Sequence, residues 1–254
     1  MKVIILPDEK TVCHKLTEAI ISAVREKPGL VLGLSPCAQV LPCYPGLVES
    51  YHKKEVSFHP VRFFATDEFV GLGPENPLSN AFRLWSHLLS HLDTQLENVC
   101  LLNGAAPNPT IECAEYERKI EQSGGIDLQV VSLGIRGEVG RNEPSSSLGS
   151  RCRVKTLAPE EAAHDGRFPL HGSHPKFSLT VGVATLMAAK NVILVATGTG
   201  RAMVLAKAIE GPLTSSVTAS VFQRHPKCTV ILDEAASTFL KRKDYYKSVA
   251  AKEN

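Results

Sequence analysis

Long apolar runs, an excess of one charge, internal repeats and paired cysteine motifs are all missing from this chain of 254 residues. No apolar run approaches the roughly 18 residues that cross a bilayer, so we expect no membrane partner. Lysine and arginine (28) nearly balance aspartate and glutamate (26) without a clustered basic face, so nucleic acid is not an expected partner either. The apolar run within residues 1–7 is too short for a signal peptide, which predicts a cytoplasmic protein.

Patterns of metal binding and of disulfide bonding are absent as well. The seven cysteines are odd in number and scattered, and none forms a CxxC pair, so the sequence predicts neither a disulfide framework nor a zinc site. His87 and His91 lie four residues apart on a predicted helix, but no third ligand accompanies them. We therefore predict no metal, and we interpret the other histidines, among them His164, His171 and His174, as surface or core residues.

Short apolar runs alternate with longer stretches of helical periodicity, which is the pattern of parallel βαβ units. The sequence predicts an α/β fold: one Rossmann-like domain over residues 1–254, with a mainly parallel sheet, helices on both faces and a fraying polar tail at about 242–254. The predicted strands are 3–6, 30–34, 61–66, 128–134, 179–183, 191–197 and 229–233. The predicted helices are 11–26, 40–53, 80–92, 111–122 and 201–210.

Ligands of open α/β sheets bind beyond the carboxyl ends of the strands, so the loops after each predicted strand are the candidate sites. Asp67 and Glu68 follow the third strand, where one carboxylate can enter a cleft while the other serves the fold; a helix N-cap is the simpler alternative. The loop after the fourth strand carries Gly134, Gly137 and Gly140, which allow the backbone to approach a ligand closely.

Several motifs that occur in one order are more specific than any single motif. They are 67–72 (DEFVGL), 101–104 (LLNG), 142–144 (NEP), 146–148 (SSL), 150–157 (SRCRVKTL), 179–183 (LTVGV) and 225–227 (HPK). Together they resemble the glucosamine-6-phosphate deaminase (isomerising) family, and the resemblance extends over nearly the whole chain.

The resemblance implies roles for matching residues. Asp67 corresponds to the family's general base, which moves a proton at sugar carbons 1 and 2, and Glu143 corresponds to a carboxylate that orients the catalytic histidine. Arg167 matches an arginine that grips the substrate phosphate, and Arg201 stands in place of a phosphate-binding lysine. The residues that match an effector site for an activating amino-sugar phosphate are Ser146, Ser147, Arg153, Lys155 and Thr156.

Two loops depart from the family pattern. Arg136 and Glu138 occupy the positions of the family's aspartate and ring-opening histidine, and an unperturbed glutamate is already ionised at the pH where imidazole exchanges a proton. Residues 36–40 (PCAQV) replace a glycine-rich phosphate loop, and the proline removes one backbone donor. Since positioned acid–base groups contribute about a hundred- to ten-thousandfold in rate, the sequence predicts a severe loss of catalysis.

Three functional hypotheses result. The first is a pseudoenzyme that binds hexosamine phosphates, with deaminase activity lost or strongly reduced, and acts through its effector-like site or by assembly with an active paralogue. The second is an active isomerising deaminase that converts glucosamine 6-phosphate to fructose 6-phosphate and ammonia, with Asp67 as the base. The third is another sugar-phosphate isomerase or a lactonase, with Glu138 as the base. The resemblance implies a homo-oligomer or a hetero-oligomer with a paralogue, and no organic cofactor.

Overall fold

A parallel sheet of seven strands forms the centre of the molecule. The computed structural model describes residues 1–157, 166–168 and 174–252, so His164 and His171 lie outside the described residues. The strands are β1 (Lys2–Leu6), β2 (Val31–Leu34), β3 (Arg62–Ala65), β4 (Asp67–Phe69), β5 (Val99–Cys100), β6 (Leu128–Ser132), β7 (Arg153–Thr156), β8 (Phe177–Thr180), β9 (Asn191–Ala196) and β10 (Cys228–Asp233). The central sheet has the order β1-β10-β9-β6-β2-β3-β5, and its neighbouring strands pair in parallel.

Both faces of the central sheet are buried. Val131 of β6 and Leu194 of β9 belong to one hydrophobic core, whereas their chain neighbours Val130 and Val195 belong to the core on the other face. Because successive side chains of a strand point to opposite faces, strands that are apolar throughout supply both cores. The predicted α/β fold, a mainly parallel sheet with helices on both faces, is confirmed.

Helices cover the sheet on its two sides. The first begins after Asp8, whose carboxylate accepts a hydrogen bond from the N–H of Thr11 (2.8 Å), and it buries the predicted apolar stripe from Val12 to Val24. Among the described residues, no helix is long and apolar enough to cross a membrane. The helices are α1 (Glu9–Glu26), α2 (Tyr44–His52), α3 (Asn80–His87), α4 (Pro109–Gln122), α5 (Val183–Met187), α6 (Ala202–Glu210) and α7 (Lys243–Lys252).

A second, antiparallel sheet of three strands stands beside the carboxyl end of β3, with the order β4-β8-β7. The strand predicted at 179–183 ends at Thr180 and belongs to this small sheet, so its assignment to the parallel sheet is wrong. Local periodicity could not reveal this, because Thr180 pairs with Asp67 on one side and with Arg153 on the other. The small sheet places Asp67 at the carboxyl edge of the central sheet.

The polar tail predicted at about 242–254 contains a helix. Residues Lys243–Lys252 form helix α7. Lys243 and Lys247, one turn apart, both form ion pairs with Glu234, which directly follows β10. Tyr246 lies between them and packs against a hydrophobic core. The tail is polar in composition, but a distant carboxylate and the core hold its first turns.

One disulfide corrects the expectation from cysteine spacing. Cys13 of α1 and Cys43 are bonded, with their Cα atoms 4.4 Å apart. Thr17, one turn further along α1, donates its hydroxyl to the carbonyl of Cys43 (3.1 Å). The two cysteines meet because α1 packs on the short 3₁₀ helix Leu41–Cys43, a contact between segments that carry no local cysteine motif.

Candidate active site

Polar side chains from separate loops meet in a cleft of about 130 Å³. It opens between the carboxyl ends of β2 and β6, where the strand order reverses because β3 and β5 continue to one side and β9 and β10 to the other. A larger cavity, about 990 Å³, lies at the opposite edge among the beginnings of the strands. The cleft is the site of interest, since its lining includes all the residues predicted for catalysis and substrate phosphate: Asp67, Glu138, Glu143, Arg167 and Arg201.

The two adjacent acids after β3 divide their roles. Asp67 is 5% exposed, and its carboxylate accepts hydrogen bonds from Thr66 Oγ1 (2.7 Å), Asn80 Nδ2 (2.9 Å) and Arg141 Nε (3.1 Å). Glu68 turns away and accepts the N–H of Asn80 (3.0 Å) at the start of α3. Burial raises the pKa of Glu68, although the hydrogen bonds from the helix start oppose that shift. The carboxylate that faces the cleft is therefore Asp67, and Glu68 holds the helix.

The loop after β6 brings Arg136 against a buried carboxylate. Arg136 Nη2 lies 2.6 Å from Glu143 Oε2, and the Glu143 side chain is 5% exposed. The backbone N–H of Arg136, by contrast, donates to Glu138 Oε2 (2.9 Å). Gly137 permits this turn, because its φ is +88° and a Cβ there would lie 2.6 Å from Val217. The charge of Arg136, which the sequence placed beside Glu138, is thus directed to Glu143.

Two residues of the cleft escaped the sequence motifs. Arg141 contacts Asp67, and its guanidinium carbon lies 4.6 Å from the centre of the Phe69 ring. Asn80 is 1% exposed and contacts the same carboxylate. Arg141 and Asp67 are 74 positions apart, so no local pattern joins them. The sequence features that could have identified them are the charge of Arg141 in a glycine-rich loop and the position of Asn80 directly after a helix cap.

The arginines predicted to hold phosphate come from different segments. Arg201 precedes α6, and its Nε donates to the carbonyl of Leu133 (2.9 Å). Its guanidinium faces the side-chain amide of Gln39, whose oxygen accepts from it in the orientation that satisfies both groups. Burial lowers the pKa of Arg201, but an arginine remains charged in proteins. Arg167 donates through Nη2 to Asn80 Oδ1 (2.7 Å).

Residues 36–40 form a turn that leaves backbone donors beside the cleft. The N–H of Val40 donates to the carbonyl of Cys37 (3.1 Å), and a 3₁₀ helix follows. Within the described ranges, the N–H groups of Cys37, Ala38 and Gln39 donate to no protein acceptor, and all three residues line the cleft. Such groups at the start of a helical turn suit an anion. Loss of the glycines has therefore not removed every backbone donor from this loop.

The predicted effector residues lie outside the cleft lining. Arg153 lies on β7 and donates to Oδ1 of Asn142, the residue that directly precedes Glu143 (2.8 Å). Burial lowers the pKa of Arg153. Ser146 is buried, and its hydroxyl has no hydrogen-bond partner among the residues that the structure describes. The others are Ser147, which is exposed, and Lys155 and Thr156, which follow on β7.

The histidine spacing noted in the sequence reflects contacts within one helical segment. His87 Nδ1 lies 2.9 Å from the carbonyl oxygen of Arg83, and His91 Nε2 lies 3.0 Å from that of Ser86. In residues 1–157, 166–168 and 174–252, no group of three side chains is arranged to hold a metal ion. One ring nitrogen of each histidine thus contacts a backbone carbonyl.

Comparison with known proteins relates this cleft to a family. No protein-family model matches the chain. A glucosamine-6-phosphate deaminase from Geobacillus sp. (strain WCH70) is 38% identical over 251 residues, which cover 97% of this chain and 100% of the relative. A glucosamine-6-phosphate deaminase from Hahella chejuensis is 37% identical over 250 residues, which cover 98% of this chain and 95% of the relative.

Solved structures also match this chain over most of its length. A monomeric glucosamine-6-phosphate deaminase, described as a missing link of the NagB superfamily, matches with a TM-score of 0.91 at 29% identity, over 94% of this chain and 99% of that chain. A 6-phosphogluconolactonase from Trypanosoma cruzi matches with a TM-score of 0.76 at 20% identity, over 94% and 97%, which is a likeness of fold alone. On its identity to full-length relatives, the chain belongs to the glucosamine-6-phosphate deaminase family.

Proposed function

We propose that this protein is an isomerising deaminase that converts glucosamine 6-phosphate and water to fructose 6-phosphate and ammonia. The observation that carries the proposal is the buried Asp67 carboxylate at the switch point of the sheet, in one cleft with Arg167 and Arg201. The names of relatives at 37 and 38% identity support the same activity. Of the three hypotheses from the sequence, these observations favour the active enzyme over the pseudoenzyme.

The substrate phosphate has charged and backbone partners in the cleft. Arg167 and Arg201 supply guanidinium donors, which suit phosphate oxygens. The N–H groups of Cys37, Ala38 and Gln39 supply a second kind of donor. Phosphate therefore binds where this turn and the arginines meet, although the glycine-rich loop of the family is replaced.

Asp67 performs the proton transfer. A carboxylate has about four acceptor positions, and three are used by Thr66, Asn80 and Arg141, which leaves capacity for the substrate. Asp67 takes the proton from carbon 2 of the open-chain aldehyde and returns it to carbon 1, while a proton from the amine passes through solvent to the oxygen at carbon 1. The amine at carbon 2 thereby becomes an imine, and the aldehyde oxygen becomes a hydroxyl. Water then adds at carbon 2 and ammonia leaves. Open-chain sugar that forms in solution enters this sequence without an enzymatic ring-opening step.

A second candidate is a hexosamine-phosphate-binding protein with lost or strongly reduced turnover. The specific observation in its favour is that Asp67 and Glu143 each form an ion pair with an arginine of the loop after β6. Both carboxylates are thereby engaged by cations of the protein itself. The effector-like site and a homo- or hetero-oligomer remain predictions of the family resemblance, and a cytoplasmic location remains a prediction from the N-terminal sequence. One structural relative is described as monomeric.

Ammonia release from glucosamine 6-phosphate, with and without N-acetylglucosamine 6-phosphate, tests the proposal. We expect turnover in the wild type, a loss of at least about a hundredfold in Asp67→Asn, and no loss in the surface control Glu97→Gln. Saturable calorimetric binding without turnover above the Asp67→Asn blank would instead establish the binding protein. A panel that includes 6-phosphogluconolactone, measured also with Glu138→Gln, tests the lactonase hypothesis.

A further inference from the structure

The side chain of Asn80 lies between the proposed base, Asp67, and the proposed phosphate-binding Arg167. Its Nδ2 donates to Asp67 Oδ2 (2.9 Å) and to the Asp67 carbonyl (3.0 Å). Its Oδ1 accepts from Arg167 Nη2 (2.7 Å). Asn80 thus contacts both groups directly, and it is 1% exposed, so water does not compete for these bonds.

The polarity of an amide suits this position. A guanidinium only donates hydrogen bonds, and an ionised carboxylate only accepts them. The Asn80 oxygen therefore has to face Arg167, and the nitrogen has to face Asp67. A reversed amide would set donors against donors on one side and acceptors against acceptors on the other. The two charged partners determine the orientation of the Asn80 side chain.

The backbone of Asn80 is held equally firmly. It is the first residue of α3, directly after the cap Ser79. Its N–H donates to Glu68 Oε1 (3.0 Å), while Ser79 Oγ donates to Glu68 Oε2 (2.7 Å). Because Glu68 adjoins Asp67 in β4, one strand fixes both the backbone and the side chain of Asn80. A group supported in this way on regular structure keeps its partners at a constant separation.

We propose that Asn80 is a positioning residue that sets the separation between the phosphate-binding Arg167 and the base Asp67. The proposal rests on the proposed function of this cleft. With the phosphate bound at Arg167, the fixed separation brings carbons 1 and 2 of a hexose phosphate to Asp67. Binding energy at the phosphate is thereby used to orient the reacting carbons, which affects kcat more than KM.

Steady-state kinetics of Asn80→Ala on glucosamine 6-phosphate test the proposal. We expect kcat to fall about ten- to a hundredfold while KM changes less than about threefold, because Arg167 retains its bond to the carbonyl of Leu78. The matched control is Ser79→Ala, which weakens the same helix cap without touching Asp67 or Arg167. It should lower the unfolding temperature and leave kcat within about twofold. Equal losses of kcat in both variants would show that Asn80 has only a structural role, which would contradict the proposal.

A double-mutant cycle separates positioning from a local effect on Asp67. If Asn80 joins the two groups, the effect of Asn80→Ala should be at least about fivefold smaller in an Arg167→Ala background. An effect of the same size in both backgrounds would overturn the proposal.

A wild type without turnover would overturn the proposed function, and the cycle would then be measured as calorimetric affinity for glucosamine 6-phosphate. Because Asn80→Ala changes binding by less than about threefold, a coupling of about twofold is expected there, and an additive cycle would contradict the inference about Asn80.

Discussion

Four charged residues of the cleft form two ion pairs. Asp67 and Arg141 have side chains that are 7% and 14% exposed, and Glu143 and Arg136 are 5% and 32% exposed. Paired burial of this kind contributes little net stability, but removal of one partner leaves the other charge buried without compensation. Both arginines come from one loop, which therefore supplies the positive charge beside both buried carboxylates.

The first prediction concerns Arg141. Replacement by leucine leaves the Asp67 carboxylate buried with fewer donors, so the free energy of unfolding should fall by about 2–4 kcal/mol. Urea denaturation at pH 7 measures this loss. Arg118→Leu serves as the control, because Arg118 and Glu115 are 63% and 48% exposed and such a pair contributes about 0–1 kcal/mol. Similar losses in the two variants would contradict a buried ion pair at Asp67.

At the level of elements, helix α7 is held by two carboxylates outside it. Lys243 and Lys247 both bind Glu234, and Lys241 N–H and Arg242 N–H donate to Glu210 (2.8 and 2.9 Å). Hydrogen bonding by Lys243, followed by Lys247, lowers the pKa of Glu234. These contacts lie at the start of the helix, where an isolated segment of this length would otherwise fray.

The second prediction is that Glu234→Gln loosens α7 selectively. Because Glu234 is 39% exposed, solvent screening limits the effect, and we expect amide exchange in α7 to quicken by about two- to fivefold. Hydrogen exchange followed by peptide mass spectrometry reports this directly. Glu49→Gln, which breaks the surface pair with Lys53, should leave α7 unchanged. Unaltered exchange of α7 in Glu234→Gln would show that core contacts alone hold it.

For the whole molecule, the two edges of the central sheet have different roles. The carboxyl edge bears the cleft, whereas the amino edge is tied together by Asp127, whose side chain is 7% exposed. Its carboxylate accepts from Lys27 Nζ (2.5 Å), Lys190 Nζ (2.7 Å) and the N–H of Val31 (2.9 Å). Burial acts to raise the pKa of Asp127, but the bonds from Lys190, Lys27 and Val31 outweigh it and lower that pKa.

The third prediction follows from the sign of this shift. A pKa lowered by folding gives stability that is present above the ordinary value of 3.8 and is lost as pH falls through the folded value. Asp127→Asn should therefore lower the free energy of unfolding by about 1–3 kcal/mol at pH 7, with a smaller difference from the wild type near pH 3. Urea titrations across this range test the expectation, with Glu97→Gln as the surface control. A difference that is constant with pH would exclude the linkage.

Much of the fold was predictable, because the signals were local. Strands β2, β6, β9 and β10 consist mainly of apolar residues with both faces buried, and α1 shows its buried stripe in the spacing of Val12 and Leu16. Strands β4, β5 and β7 were missed because they are only two to four residues long. In addition, β4 contains Asp67 and Glu68, and β7 contains Arg153 and Lys155, so neither is an apolar run. Helix α7 was missed because the carboxylate that stabilises it lies outside the segment.

The α/β class, the family and the loops that carry Asp67, Glu143 and Arg201 are already evident in the amino-acid sequence, since these depend on patterns within short segments. Three contacts arise only in the folded chain: Arg141 reaches Asp67 across 74 positions, Arg136 faces Glu143, and Asn80 joins Asp67 to Arg167. This is because hydrogen bonds and ion pairs depend on distances of a few ångströms between atoms. Such distances arise from packing of remote segments, which neither composition nor periodicity records.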